Sequence, residues 1–254
     1  MVRKFFVQPV QPLKDQYGKA HLVLQPQQIF SFLVWNTNKI NAEVVIDTMG
    51  SIKQVPAFSF LQEVSVSLDD QYPFSYFDHY QWTMAKNLYL PQKKKFSGVK
   101  TGSIYVSNTS QVWHSKNKEP LIYIPKPAVA SYHPVGNQQF ELLTVNVHML
   151  NMINTQRFLH ELESLYAIID QHQGSVVLAG DFNTWSKRKM SALLDFSHNL
   201  GLSEVAFGPD NIHRLSKRQL SFVFTRGILV HQTQVLTSVT ASDHYPLLVY
   251  ASII

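Results

Sequence analysis

Val176-Val177-Leu178-Ala179-Gly180-Asp181-Phe182-Asn183 is the stretch on which the reading of this chain turns. Four apolar residues, two of them β-branched, make Val176–Ala179 a short buried strand. Gly180, Asp181 and Asn183 are turn formers and end it. The strand thus delivers a carboxylate and an amide to a sheet edge. Alone, such a stretch is more often a plain strand-end turn than a catalytic loop, so its meaning depends on how the other strands end.

They end in the same way. The apolar run Ile29–Trp35 stops at Asn36, and Phe58–Leu61 runs into Gln62-Glu63. Leu142–Val147 carries Asn146 and stops at His148, while Asp243 and His244 precede Leu247–Tyr250. Polar residues at strand ends on one edge of a core converge on a rigid pocket. Further strands are expected at Ser103–Val106, Leu121–Ile124, Ala128–Tyr132, Phe222–Thr225 and Val235–Thr240. Helices are expected at Ala42–Ile52, Thr155–Gln171 and Met190–His198. The second has Phe158, Leu162, Leu165, Tyr166 and Ile169 on one face, with Asn154 or Thr155 as cap. Many strands with few helices point to two packed sheets flanked by helices.

The polar set limits the chemistry. Glu63 with the nearby amide of Asn36 suits a hard, oxygen-seeking divalent ion such as Mg²⁺, which keeps waters and substrate phosphates in its shell. His148 and His244 can exchange protons near neutral pH. Asp181 can orient an attacking water, and Asn183 can donate to a developing phosphoryl charge. This is equipment for metal-assisted phosphoester hydrolysis. No close His-rich spacing such as H-E-x-x-H argues for zinc.

Composition adds bounds. The 254 residues contain no cysteine, which excludes a disulfide scaffold, a thiolate zinc site and a cysteine nucleophile. Hydrophobic residues are 45% and charged residues 15%, so the chain is not a disordered solvating segment. The net charge of +5 is a mild bias toward anionic partners. No apolar run reaches the ~18 residues of a membrane span, and no signal peptide is read, so a cytoplasmic location is expected, with export by a non-cleaved signal as the alternative. A monomer is expected. The Gln/Pro-rich opening reads as an irregular arm over 1–28, followed by a single domain over 29–254.

Phe60-Leu61-Gln62-Glu63, Val145-Asn146-Val147-His148, Gly180-Asp181-Phe182-Asn183 and Ser242-Asp243-His244-Tyr245-Pro246-Leu247 occur in this order, with Trp35-Asn36 ahead of them. In these motifs the chain resembles the endonuclease/exonuclease/phosphatase superfamily. It is closest to the bacterial YafD-type members in Leu33–Asn36, Ser97–Val99, Trp185-Ser186 with the basic triplet behind it, and Val223-Phe224 before Arg226-Gly227. The resemblance covers about residues 29 to 252. It implies an α+β fold, the four-layer DNase-I-like sandwich of two mixed sheets flanked by helices. It also implies roles: Glu63 as principal metal ligand with Asn36 beside it and Asp243 supporting through water; Asp181 on the nucleophilic water; Asn183, His148 and His244 on the phosphate; Asn146 on the substrate side. Mg²⁺ is the implied cofactor, with Mn²⁺ as substitute.

One departure matters. The family places an Asp behind the final histidine, and here that position is Ser221. Serine carries no charge, so an imidazolium at His244 is less stabilised. A smaller departure is Asn38, where some nucleases of the family carry an acid.

The leading function is a Mg²⁺-dependent phosphodiester hydrolase acting on DNA or RNA. Lys187 and Arg188 of the triplet Lys187–Lys189 would grip flanking phosphates, and Trp185 would stack on a base. The triplet reads equally well as the first turn of a helix. The alternatives are a lipid or small-molecule phosphoesterase, with the aromatic segment Tyr72–Leu90 as an exposed apolar hairpin, or a binding protein weakened by Ser221. Lys93-Lys94-Lys95 reads as a solvated loop, and the nine histidines other than His148 and His244 as surface or core residues.

Overall fold

Strand periodicity sorts the apolar side chains of this chain into three layers. In β2 (Phe30–Asn36), Phe30, Phe32 and Val34 point one way, and Leu33 and Trp35 the other. β3 (Phe58–Ser67) repeats this with Phe58 and Phe60 against Leu61. In the computed structural model, which describes residues 13–67, 74, 77–120, 123–137 and 139–254, the first set meets Leu142, Val177, Ala179 and Val223 from a second sheet. The second set packs on α1 (Ala42–Ser51) through Val45 and Met49.

The remaining strands are β1 (Lys14–Tyr17), β4 (Gln81–Leu90), β5 (Lys95–Ser103), β6 (Thr109–His114), β7 (Pro127–Pro134), β8 (Glu141–His148), β9 (Val176–Asp181), β10 (Ser203–Glu204), β11 (Ser221–Arg226), β12 (Ile228–Val235) and β13 (Leu247–Ile253). Among the described residues, one sheet has the order β1-β4-β5-β3-β2-β13-β12 and the other β10-β11-β9-β8-β7-β6. Both are mixed. The parallel pairs β2·β3 and β8·β9 each need a crossover, which α1 and α2 (Thr155–Asp170) supply. α2 buries Phe158, Leu162, Leu165 and Ile169 against the second sheet, and the Asn154 side chain accepts from the Arg157 N–H at 2.9 Å as its cap. α3 (Lys187–Asn199) lies beside it through Leu193 and Phe196. The layers are therefore helix, sheet, sheet, helices.

Several expectations are corrected. Part of the supposed arm is built into the sheet: Lys14–Tyr17 pairs with β4, and Leu24 is buried and bridges to Val135, while residues 1–12 lie outside the described residues. The segment Ser103–Val106 holds only the end of β5. The strand itself starts at Lys95, and its lysines and glycines hide it. Gly98 and Gly102 are there because a Cβ would lie 2.0 Å from the Ala85 carbonyl and 2.3 Å from the Trp82 ring. The strand placed at Val235–Thr240 ends at Val235; β12 precedes it as a polar, half-exposed edge strand. Tyr123 and Ile124 are not in a strand, and residues 121–122 lie outside the described residues.

The hairpin offered as an exposed apolar alternative is core along much of its described length, with Leu88, Tyr89 and Leu90 at its end half-buried. Phe74, Phe77, Tyr80, Trp82 and Met84 are buried against the α1 layer, with residues 72, 73, 75 and 76 outside the described residues. Burying aromatic rings of this size removes a large apolar area from water. Lys93 and Lys94 are exposed in the β4–β5 connection. No helix among the described residues is long and apolar enough to cross a membrane.

Candidate active site

The face of each central strand that points between the sheets is apolar along most of its length and polar at one common end. Phe32 and Val34 are followed on that face by Asn36, Phe58 and Phe60 by Gln62, Leu142 by Thr144, Asn146 and His148, and Val177 and Ala179 by Asp181. On β11, Ser221 precedes Val223. The strand-end pattern in the sequence is this change, seen in five strands at once. The polar ends open into a cavity of about 280 Å³ lined by Asn36, Asn38, Lys39, Glu63, Glu119, Lys126, His148, Asp181, Asn183, Trp185, His213, Asp243 and His244, among others.

Backbone geometry aims the key groups. The β3·β5 register slips between Leu61 and Val64, and Glu63 in that bulge has φ +53°. A bulge redirects a side chain out of the pleat, and a left-handed glutamate is strained enough to need a reason. Here the result is a carboxylate in the cavity. Gly180 is required because a Cβ there would lie 2.0 Å from the Val147 carbonyl. That close approach brings Asp181 opposite His148 in the parallel register. Asn183, at φ +50°, closes the turn. The last motif is tied to β2: the Trp35 Nε1–H donates to the His244 carbonyl at 3.0 Å, and the Ser242 hydroxyl to the Asn36 carbonyl at 2.7 Å.

Asp181 is the hub. Its Oδ2 accepts from Asn36 Nδ2 at 2.8 Å, and its Oδ1 from the Asn183 N–H at 2.9 Å. The Nε2 atoms of His148 and His244 lie 3.7 and 3.8 Å from Oδ2. Behind His244, Ser221 Oγ is 3.1 Å from Nδ1, in the place where the sequence resemblance expects a carboxylate. Burial, reinforced by the Lys126 and Lys39 ammoniums and by His244, holds His148 well below the ordinary histidine range, so it is neutral at neutral pH.

At the Glu63 end two ammoniums face the carboxylate. Lys39 Nζ bonds to Glu63 Oε2, Lys126 Nζ lies 3.8 Å from Oε1, and His148 Nε2 lies 3.6 Å from Oε1. Lys126 also pairs with Glu119 at 3.4 Å. Burial and the neighbouring Lys126 bring Lys39 down to about 8, and burial lowers Lys126 against the opposing pull of Glu119 and Asp181. The donors fit a hard divalent ion: one carboxylate placed by a strained bulge, the Asn36 and Asn38 amides beside it, and Asp181 and Asp243 on the same walls. A second possible metal group is His213, Asp243 and His244, whose ligand atoms lie within 4.8 Å of one another.

Of the sequence-predicted residues, Asn36, Glu63, His148, Asp181, Asn183, Trp185, Asp243 and His244 line the one cavity. Three do not. Asn146 is buried beneath it, with Oδ1 accepting from Gln62 Nε2 at 2.7 Å and Nδ2 donating to the Lys100 carbonyl and Thr101 Oγ1, both at 3.1 Å. It ties the two sheets together. Lys187 and Arg188 are exposed in the first turn of α3, which Ser186 caps by accepting from the Lys189 N–H. Lys189 lies over the Phe158 ring at 5.7 Å. Arg188 instead lines an adjoining groove of about 680 Å³ with Trp185, Asn151 and Met152. Asn183 spends much of its amide locally, donating from Nδ2 to the Met149 carbonyl and accepting from Trp185 Nε1, both at 2.9 Å.

The sequence reading missed Lys39, Lys126, Glu119 and His213. His213 Nε2 is 3.1 Å from Asp243 Oδ2, and its ring stands edge-on to His244 at 4.8 Å. Nothing in the irregular stretch before β11 marks it. Lys39, by contrast, lies three residues past Asn36 in the same motif, so position alone could have flagged it.

This is the endonuclease/exonuclease/phosphatase fold, the DNase-I-like four-layer sandwich. An endonuclease/exonuclease/phosphatase from Beutenbergia cavernae superposes over 89% of this chain and 72% of its own, with TM-score 0.71 and 14% identity. The human Nocturnin catalytic domain with bound sulfate anion matches over 97% and 99%, with TM-score 0.67 and 15% identity. In sequence the chain is similar to UPF0294 proteins, the YafD type. That of Yersinia enterocolitica is 39% identical over 135 residues, 53% of this chain and 51% of the relative. The chain spans about half the length of the curated relatives it matches. No family model matches it.

Proposed function

We propose that the protein is a Mg²⁺-dependent phosphodiester hydrolase acting on nucleic acid. The observation that carries this reading is the convergence of Glu63, Asp181 and His244 on one cavity, with Asp181 held by Asn36 and Asn183. Glu63 and Asn36 would hold the ion, with Asp243 supporting it, and the ion would supply Lewis-acid stabilisation of phosphoryl charge. Asp181 has both oxygens oriented by donors, and it would align the attacking water and take its proton. His244 would donate from Nε2 to the phosphoryl group while Ser221 fixes Nδ1. His148, neutral, would hydrogen-bond the phosphate rather than pair with it as an ion.

Nucleic acid is favoured over lipid by two features. Phe74, Phe77, Tyr80, Trp82 and Met84 of the segment that could have inserted into a bilayer are core. The groove beside the cavity offers an indole and a guanidinium, Trp185 and Arg188, which suit a base and a flanking phosphate. One observation favours a second reading. Ser221 in place of a carboxylate weakens His244 and fits a protein that binds phosphoesters and turns them over slowly.

The test is hydrolysis of single-stranded DNA, supercoiled plasmid, RNA, sphingomyelin and bis-p-nitrophenyl phosphate by wild type and Glu63→Gln, with Mg²⁺ and with EDTA. Metal-dependent cleavage of a nucleic acid, lost in the variant, is expected. Turnover of sphingomyelin alone overturns the substrate, and EDTA-resistant turnover overturns the cofactor. Wild-type rates equal to those of Glu63→Gln on every substrate favour the second reading.

A further inference from the structure

Glu63 does not stand open in the cavity; it already has a cation. The Lys39 ammonium bonds to Oε2. The geometry behind this contact is specific. Asn38 and Lys39 have φ +46° and +59°, and the Lys39 N–H donates to the Glu63 carbonyl at 3.0 Å. This left-handed turn folds the lysine back onto the bulge that carries the carboxylate.

The two lysines at this end are not equivalent. The Lys126 side chain is 9% exposed and sits between Glu63 and Glu119, so it keeps a carboxylate whatever happens at Glu63. The Lys39 side chain is 39% exposed, and among the described residues its ammonium is bonded to Glu63 alone. A divalent ion and an ammonium cannot share one carboxylate at contact distance without strong repulsion. Asn38 lines this part of the cavity with an amide, and the further acids that act on Lys39, Glu119 and Asp243, lie beyond ion-pair contact of its ammonium. The side chain that yields is the more exposed one, whose ammonium has no second contact partner among the described residues.

We propose that a divalent cation displaces Lys39 from Glu63, and that the released ammonium then becomes a ligand of the substrate's phosphate oxygens. The proposal rests on the reading of Glu63 as a ligand of that cation. Lysine suits both roles, because its charge is compact and its four-carbon stem pivots while the backbone stays anchored. A lysine is also a common point-charge partner of phosphate. Lys39 thus sets a threshold: cation and phosphate enter together, because each removes the cost the other meets.

The test measures binding rather than turnover. Mn²⁺ affinity would be read by electron paramagnetic resonance, and inorganic phosphate affinity of the Mn²⁺-loaded protein by calorimetry, for wild type, Lys39→Met, Lys39→Gln and Glu63→Gln. Both Lys39 variants should bind Mn²⁺ about tenfold more tightly than wild type and, once loaded, bind phosphate about tenfold more weakly. Glu63→Gln should lose Mn²⁺. If Glu63→Gln loses Mn²⁺ while either affinity is unchanged in both Lys39 variants, the cation reading stands and the exchange is wrong. If Glu63→Gln binds Mn²⁺ as wild type does, the reading of Glu63 and the exchange fall together. Two uncharged replacements keep the test valid if one folds poorly.

Discussion

The layer between the two sheets has a buried histidine at each end, and the two have opposite surroundings. His133, on β7, packs edge-on to Phe58 at 5.1 Å; its Nδ1 meets the Val106 carbonyl at 3.0 Å and its Nε2 the Thr144 hydroxyl at 3.3 Å. Both nitrogens are spent on neutral partners, and burial lowers its pKa to about 4. His148, on β8, is as deeply placed, yet its Nε2 lies 3.6 and 3.7 Å from two carboxylates, Glu63 and Asp181, at the wall of a cavity. Burial alone therefore does not make a histidine functional. What distinguishes the open end is the density of groups that can exchange protons or bind an ion within reach of one point.

If that contrast is right, changes at the open end should remove activity and spare the fold, and changes at the closed end the reverse. The largest expected effect is that of Asp181→Asn, which keeps the shape but removes the proton acceptor. The turnover number should fall about 10³-fold, with the melting temperature lowered by only a few degrees as one of the two donors on Asp181 loses its acceptor. Steady-state kinetics and calorimetry on one preparation check both halves. Phe58→Ala at the closed end should cost about 3–5 kcal/mol in urea unfolding, with turnover per folded molecule retained.

The third expectation concerns pH. His133 is neutral when folded down to about pH 4, whereas the unfolded chain takes up its proton near 6.5. Its contribution is therefore complete above pH 6.5 and is lost as the pH falls toward 4, a change of about 3 kcal/mol. Urea midpoints measured across this window for wild type and His133→Gln should converge as the pH falls. The smallest expected effect sharpens the contrast within the site. Ser221→Asp places a carboxylate behind His244 Nδ1 and should raise turnover about tenfold. Unchanged turnover would mean that Asp181 and the His213–Asp243 pair already support the imidazole.

Much of this was legible because its signals are local. The runs ending at Asn36, His148 and Asp181, and the apolar face of α2, show their structure in neighbouring residues. The β4–β5 hairpin was not, since its burial depends on distant partners. Lysine is almost never fully buried, yet Lys100 is, with the rings of Tyr17 and Phe74 each 4.4 Å and that of Trp82 5.3 Å from its ammonium. The site divides in the same way. Residues carried by strand ends could be named, whereas Lys126, Glu119 and His213 come from separate irregular segments and meet only in three dimensions. Asn146 misled because it shares a motif with His148 but lies one step deeper on the same strand face.

A working hydrolytic site at the polar end of the inter-sheet layer is what the proposed function requires. Its most direct test is single-turnover cleavage of single-stranded DNA and of bis-p-nitrophenyl phosphate by wild type and His244→Ala at saturating Mg²⁺. The account predicts a loss of about 10²–10⁴-fold in the variant on whichever substrate wild type cleaves. Equal rates for the two proteins, with both folded, would contradict it.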